Sequence, residues 1–154
     1  LDGSKYCIDI VNKLAQNNPN YKFLVVGKGN FFEHNKPPKN LKYELKNLTH
    51  KEILQYLNKS KCALMPTRAD AQGVMMCEMA TFVITSDIYV CRKVLEGVEN
   101  VKFIKNEDTN IDLGKYLDNI ENVRFEKNKK FSYENTILRE IEIFNKIMGE
   151  NSEN

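Results

Sequence analysis

Residues 62–87 read CALMPTRADAQGVMMCEMATFVITSD, and this stretch decides the fold. Cys62 to Met65 is a continuous apolar run stopped by Pro66, which suits a strand buried on both faces. The segment from Gly73 to Phe82 reads as a helix, and Val83 to Thr85 as the next strand. Strand, helix and strand in succession join parallel neighbours through a crossover. Toward the N-terminus, Cys7, Ile10, Val11 and Leu14 recur at helical spacing until the Asn-Asn-Pro-Asn turn at 17–20. Phe23 to Val26, closed by Gly27, is a second doubly apolar strand, and Leu41 to Leu45 a weaker one. Thr49 is placed to cap a helix, with Glu52 as its capping-box partner and Ile53, Leu54 and Leu57 as the apolar face. Toward the C-terminus come a short helix near Val90 to Leu95, a strand at Val101 to Ile104 and a helix from Leu113 to Ile120. Ile137, Leu138, Ile141, Phe144 and Met148 mark a long amphipathic C-terminal helix from about Tyr133 to Met148.

This alternation predicts an α/β fold: a Rossmann-like doubly wound parallel sheet covered on both faces. There is no internal repeat and no linker, so residues 1–154 are expected to form one domain. The least regular stretches are 28–40, with Pro37-Pro38, and the KNKK run at 127–130. That run is read as a solvated loop in preference to a contact with anionic lipid.

Composition removes several classes of function. Hydrophobic residues make up 42% and charged residues 29%, the balance of an ordinary globular domain. A net charge of +2 is too small to argue for nucleic acid as a partner. No apolar run is long enough to span a bilayer and no signal peptide leads the chain, so a cytoplasmic location is expected. Cys7, Cys62, Cys77 and Cys91 are far apart and form no C-x-x-C pair. With only His34 and His50 beside them, they are read as reduced structural residues, with no metal site expected.

Ligands of an open parallel sheet bind beyond the carboxyl ends of its strands. Three loops qualify: Gly27-Lys28-Gly29-Asn30, Thr67 to Gly73, and Ser86-Asp87. A lone G-x-G is weak evidence for a phosphate loop, and a tight strand-to-helix turn accounts for both glycines better. The second loop carries more. Asp70 follows a strand, Gly73 opens a helix and Glu78 lies on that helix, with seven residues between the two acids. A helix N-terminus attracts phosphate, and carboxylates accept hydrogen bonds from paired hydroxyls. Phosphate flanked by diols describes a sugar nucleotide. Equally, spacing alone allows Asp70 to be a turn residue and Glu78 to lie on a solvated face.

The same stretch resembles the signature of retaining glycosyltransferases of the GT-B fold, the group 1 or family 4-like enzymes. Many of these act in bacterial polysaccharide or glycolipid assembly. Their signature is an acidic residue, Gly-Phe-Gly, four residues, then Glu-Ala-Met-Ala. Asp70 falls on the first acid, Gly73 on the second glycine and Glu78 on the second acid; Met79 and Ala80 follow less closely. Pro66-Thr67 stands for the family's Pro-Ser, and VITSD at 83–87 for its Pro-Val-Ile-x-Ser strand. LDGSKYCIDIV at 1–11 is similar to the Arg-Leu-x-x-x-Lys-Gly turn, with Lys5 on the Lys, and FLVVGKGN at 23–30 to the second strand and turn. The likeness runs from residue 1 to about 105, and only the acidic loop is specific.

The resemblance implies the donor-binding half of such an enzyme, with a UDP- or GDP-linked nucleotide-sugar as substrate and no cofactor. The chain would be a fragment whose N-terminal acceptor-binding domain is absent, inactive alone, and near a membrane only through the full-length enzyme. Lys5 would neutralise the departing diphosphate. Asp70 would hold donor-sugar hydroxyls, Glu78 the ribose, and backbone around Ala71, Gln72, Gly73 and Val74 the distal phosphate or the sugar. Lys5 and Asp70 are thus the expected catalytic residues, and part of 41–48 would meet the base. No D-x-D motif is present, in keeping with the metal-independent habit of the fold.

The departures are specific. Asp70 is one methylene shorter than the usual Glu, Gln72 replaces Phe, and Lys93 stands where Glu is frequent. The chain starts just after the family's first strand and its phosphate-binding Arg. The family's Gly-x-Pro before the Val-Ile strand has no counterpart after Phe82, so the turn is either truly short or three residues are missing from the sequence. Two rivals stand beside this reading. A sugar-nucleotide epimerase half-domain would need proton-transfer groups that His34 and His50 supply poorly. A non-catalytic phosphate-responsive signalling module would need an acidic pair at its first strand, which this chain lacks.

Overall fold

Ile8 to Asn17 form helix α1, and its two apolar stripes organise the molecule. Cys7, Ile10 and Leu14 on one stripe pack with Ile84, Ile104, Leu113 and Leu117. Ile8 and Ala15 on the other pack with Phe32 and Leu41. The computed structural model describes residues 6–69, 82–118, 120 and 132–150. Cys7 opens α1 in the left-handed region, at φ 51°, where a residue with a Cβ is held only by its surroundings. Here the surroundings are a fully buried site.

After α1 come β1 (Phe23–Val26), α2 (Phe31–His34), β2 (Leu41–Glu44), α3 (His50–Asn58) and β3 (Cys62–Met65). β4 (Phe82–Ser86), α4 (Tyr89–Val94), β5 (Val101–Ile104), α5 (Gly114–Leu117) and α6 (Tyr133–Glu150) follow. The protein is mixed α/β with parallel pairing throughout the described strands. Where a single sheet is expected from the sequence, the described strands form two: β1 with β2, and β3-β4-β5. The register sets Phe23 beside Leu41 and Val26 beside Glu44 in the first sheet. In the second, Cys62 pairs with Phe82, and Val83 with Val101.

The second sheet is covered on both faces. Cys62, Leu64, Phe82, Ile84 and Ile104 face α1 and α5, while Ala63, Val83, Val101 and Phe103 face Cys91, Val94 and Leu95 of the α4 region. Successive residues of one strand thus serve opposite layers, as the pleat requires. β4 is the buried centre, with Val83 to Ser86 all buried. β1 is not buried on both faces as its sequence suggests, because Leu24 remains 43% exposed.

α3 begins as its sequence indicates. Thr49 accepts from the Glu52 amide at 3.3 Å, and Glu52 accepts from the Thr49 amide at 2.8 Å. Three boundaries differ. Phe82 opens β4 instead of closing a helix, since it pairs with Cys62; an aromatic residue suits the pleated surface. The helix expected over Leu113 to Ile120 is described only over Gly114–Leu117. The irregular 28–40 stretch contains α2. The rest of the helix expected from Gly73 to Phe82 lies outside the described residues.

Candidate functional site

The three loops singled out from the sequence leave the carboxyl ends of β1, β3 and β4. After β1, the Gly27 amide donates to Glu44 O at 3.1 Å, and Gly27 and Gly29 both adopt φ 150°. Side-chain-bearing residues rarely take that backbone, so the turn into α2 accounts for both glycines.

After β3, the chain is fastened to β4. The Thr67 amide donates to Ser86 Oγ at 2.9 Å, and Ser86 Oγ donates to Asn106 Oδ1 at 3.3 Å. Thr85 Oγ1 donates to Met65 O at 2.9 Å. Asp87, in the third loop, is paired with Arg92 of α4, whose guanidinium holds its carboxyl below the usual range. Arg92 also stacks 4.8 Å from the Phe103 ring centre. Lys93 pairs with Glu96 at 3.7 Å on the exposed side of α4.

Arg68 is the centre of the described part of the site. Its Nη1 and Nη2 reach Asp9 Oδ1 and Oδ2 at 3.0 and 2.8 Å, and Nη2 also reaches Glu107 Oε2 at 2.8 Å. Nε donates to Glu107 Oε1. These bonds lower the Asp9 and Glu107 carboxyls and raise the guanidinium. Glu107 takes up φ 65°, uncommon for a residue with a side chain. One cation among two anions leaves the triad net negative. It works as a clamp between α1 and the loops after β3 and β5, with the positive charge of Lys13 also acting on Glu107. The beginning of α1 adds Cys7, whose thiol is raised by burial.

A second polar node closes the end of β2. Glu44 accepts from Lys42 at 3.0 Å, from Lys46 at 2.9 Å and from the Tyr56 hydroxyl at 3.0 Å. Lys46 and Lys42, then Tyr56, hold its carboxyl down to about 2. Within 41–48, the segment expected to meet the base, Glu44 and Lys46 are thus engaged with α3, while Leu45 is exposed.

Lys5, Asp70, Ala71, Gln72, Gly73, Val74 and Glu78 all lie outside the described residues. The described structure supplies their neighbours: Tyr6 and Cys7 at the beginning of α1, Ala69 after β3, and Phe82 at the start of β4. Sequence reading missed Arg68, Asp9 and Glu107. An arginine just past a buried strand was the available signal, and its acidic partners are 59 and 39 positions away.

Cys7, Cys62 and Cys91 form no disulfide among the described residues. Burial pushes the Cys62 thiol up to about 11, as for a small hydrophobe and unlike a reactive thiolate. No described helix is long and apolar enough to cross a membrane. No model of a known protein family matches the chain, and no curated protein sequence matches it either.

Proposed function

We propose that this chain is the donor-binding domain of a retaining glycosyltransferase, one Rossmann-like half of a GT-B fold acting in polysaccharide or glycolipid assembly. The observation that carries the reading is the Pro66-to-Glu78 stretch, which leaves β3 at the carboxyl end of a parallel strand. Such ends are where an open α/β sheet receives ligands. In this reading Asp70 holds the donor sugar, Glu78 the ribose, and Lys5 the diphosphate. Backbone from Ala71 through Gln72 and Gly73 to Val74 completes the phosphate cradle.

The Arg68 clamp supports this division of labour. Because Asp9 and Glu107 already take its charge, leaving-group charge falls to Lys5 and to a helix N-terminus. Bond cleavage needs an acceptor site, which the reading assigns to a second domain across a cleft. The chain alone binds and does not transfer. Titration calorimetry with UDP, GDP and ADP tests this: one nucleoside diphosphate should bind, and no sugar donor should turn over. Absence of binding by all three removes the donor-site reading, and transfer by this chain alone removes the half-enzyme reading.

A further inference from the structure

Tyrosine side chains elsewhere in the chain hold structure together. The Tyr21 hydroxyl donates to Asp118 Oδ1 at 2.7 Å, and the Tyr56 hydroxyl to Glu44 Oε2 at 3.0 Å. The Tyr43 ring stacks on Phe32 with centroids 4.5 Å apart, and Lys102 Nζ lies 5.1 Å from the centre of the Tyr116 ring. Tyr89 does none of this. It is 76% exposed, more than any other large apolar residue described. Its ring meets no aromatic or cationic partner among the described residues.

A single exposed apolar side chain is ordinary on a surface. What sets Tyr89 apart is that the turn carrying it is pinned. The Asp87 amide donates to Ile104 O at 2.7 Å, the Ile88 amide to Ser86 O at 3.0 Å and the Arg92 amide to Ile88 O at 3.1 Å. Asp87 and Arg92 close the turn as an ion pair. Ile88 and Val90, on either side of Tyr89, both pack against the core around Val83 and Cys91. With its two neighbours turned inward, Tyr89 is held outward on a fixed backbone.

That place is the carboxyl end of β4, the edge at which a parallel sheet receives ligands. Ser86, three residues earlier, accepts from the Thr67 amide at 2.9 Å, at the root of the loop that the donor-site reading gives to the sugar. Three residues span about 10 Å at most, so the ring stands beside that root. The 41–48 segment, which the same reading gives to the base, belongs to the other sheet. The sugar is therefore the nearer part of the ligand.

We propose that Tyr89 is the platform on which the hexose ring of the nucleotide-sugar stacks, and that it helps to select the sugar. A pyranose carries C–H bonds on its faces and hydroxyls around its rim. The C–H face meets the electron-rich face of the phenol ring, while the hydroxyls remain with carboxylates and water. Tyrosine offers large contact area for little lost conformational freedom, and a pinned backbone has little left to lose. An axial hydroxyl on the stacking face lifts the ring away, so epimers of that kind bind less well. The proposal rests on the donor-site reading and deepens it.

Titrations with and without the hexose separate the two ideas. UDP, GDP and ADP are compared with UDP-glucose, GDP-mannose and ADP-glucose by calorimetry. Tyr89→Ala should weaken the sugar donor by about 5-fold and leave its diphosphate within ~2-fold of the unaltered chain. Tyr89→Trp gives the chain its only tryptophan and should restore the affinity. Its emission should change with the sugar donor and not with the bare diphosphate. Equal losses for both ligands, no loss, or an emission indifferent to the sugar overturns the platform and leaves the donor site standing. A lowered urea midpoint in Tyr89→Ala overturns it too, since the ring then serves the fold. So does an emission that shifts with protein concentration alone, which means that a second copy covers residue 89. Failure of every diphosphate to bind the unaltered chain removes both ideas together.

Discussion

Asn18, just beyond α1, is buried and makes three hydrogen bonds that hold the helix to the segment entering α5. Its Nδ2 donates to Leu14 O at 2.9 Å and to Ile111 O at 2.8 Å, and its Oδ1 accepts from the Leu113 amide at 2.8 Å. Replacing Asn18 by Ala strands the Leu113 N–H, next to a Leu113 side chain that is 2% exposed. A stranded buried donor costs ~1–3 kcal/mol, and each lost neutral bond ~1 kcal/mol, so the loss should be about 3 kcal/mol. For a domain of this size that lowers the melting midpoint by roughly 6–12 °C. Asn17 is the internal control: its Nδ2 donates to Thr109 O at 2.7 Å in an exposed setting, so Asn17→Ala should cost under ~1 kcal/mol. Urea unfolding followed by circular dichroism measures both. Equal costs for the two alanines, or an Asn18→Ala cost below ~1 kcal/mol, would refute the view that buried satisfaction sets the value.

Three further outcomes are expected. Asn12 Oδ1 is buried with no hydrogen-bond partner among the described residues, so Asn12→Leu should raise stability by ~1 kcal/mol; a loss in the same urea assay would show that a partner exists. Glu44 ionises at about 2 in place of 4.5, so its bonds stabilise the protein above pH 4.5 and are lost as pH falls toward 2. Glu44→Gln should flatten unfolding free energy against pH within that window, and an unaltered slope would remove Glu44 as its source. On the proposed donor-binding reading, Glu78→Ala should weaken nucleoside diphosphate binding by on the order of 1.5–3 kcal/mol. Lys5→Ala should weaken the diphosphate while sparing the nucleoside, and calorimetry showing equal losses for the two ligands would take Lys5 away from the phosphates.

Local signals were legible where neighbours in sequence make the structure. The Thr49–Glu52 box, the runs at Cys62 to Met65 and Val101 to Ile104, and the helix through Leu14 all carry their own pattern. What escaped was set by partners far along the chain. Nothing beside Phe82 says that it pairs with Cys62, and nothing beside Arg68 announces Asp9. The continuous apolar FLVV run suggests a strand buried on both faces, but Leu24 stays exposed, because burial depends on what packs across the strand and not on the strand's own composition. Of the candidate site, the loop ends and their fastening are described, while Asp70 and Glu78 rest on their sequence pattern.

The Asn18–Leu113 bond also has a consequence in time. Its two residues are separated by 95 positions, and translation at ~5–20 residues per second spends about 5–20 s between them. For that interval α1 exists without its far anchor, and Leu14 and Ile10 lack Leu113 and Leu117 as packing partners. Isolated helices of this length are marginal in water. The Ile8–Ala15 stripe of α1 meets Phe32 and Leu41 early, but its Ile10–Leu14 stripe is covered late, and a nascent chain halted before residue 113 clears the ribosome should present that stripe to chaperones. Crosslinking of a chaperone to Ile10 should fall once Leu117 has emerged; a constant yield at every length would mean that α1 is held by something nearer in sequence.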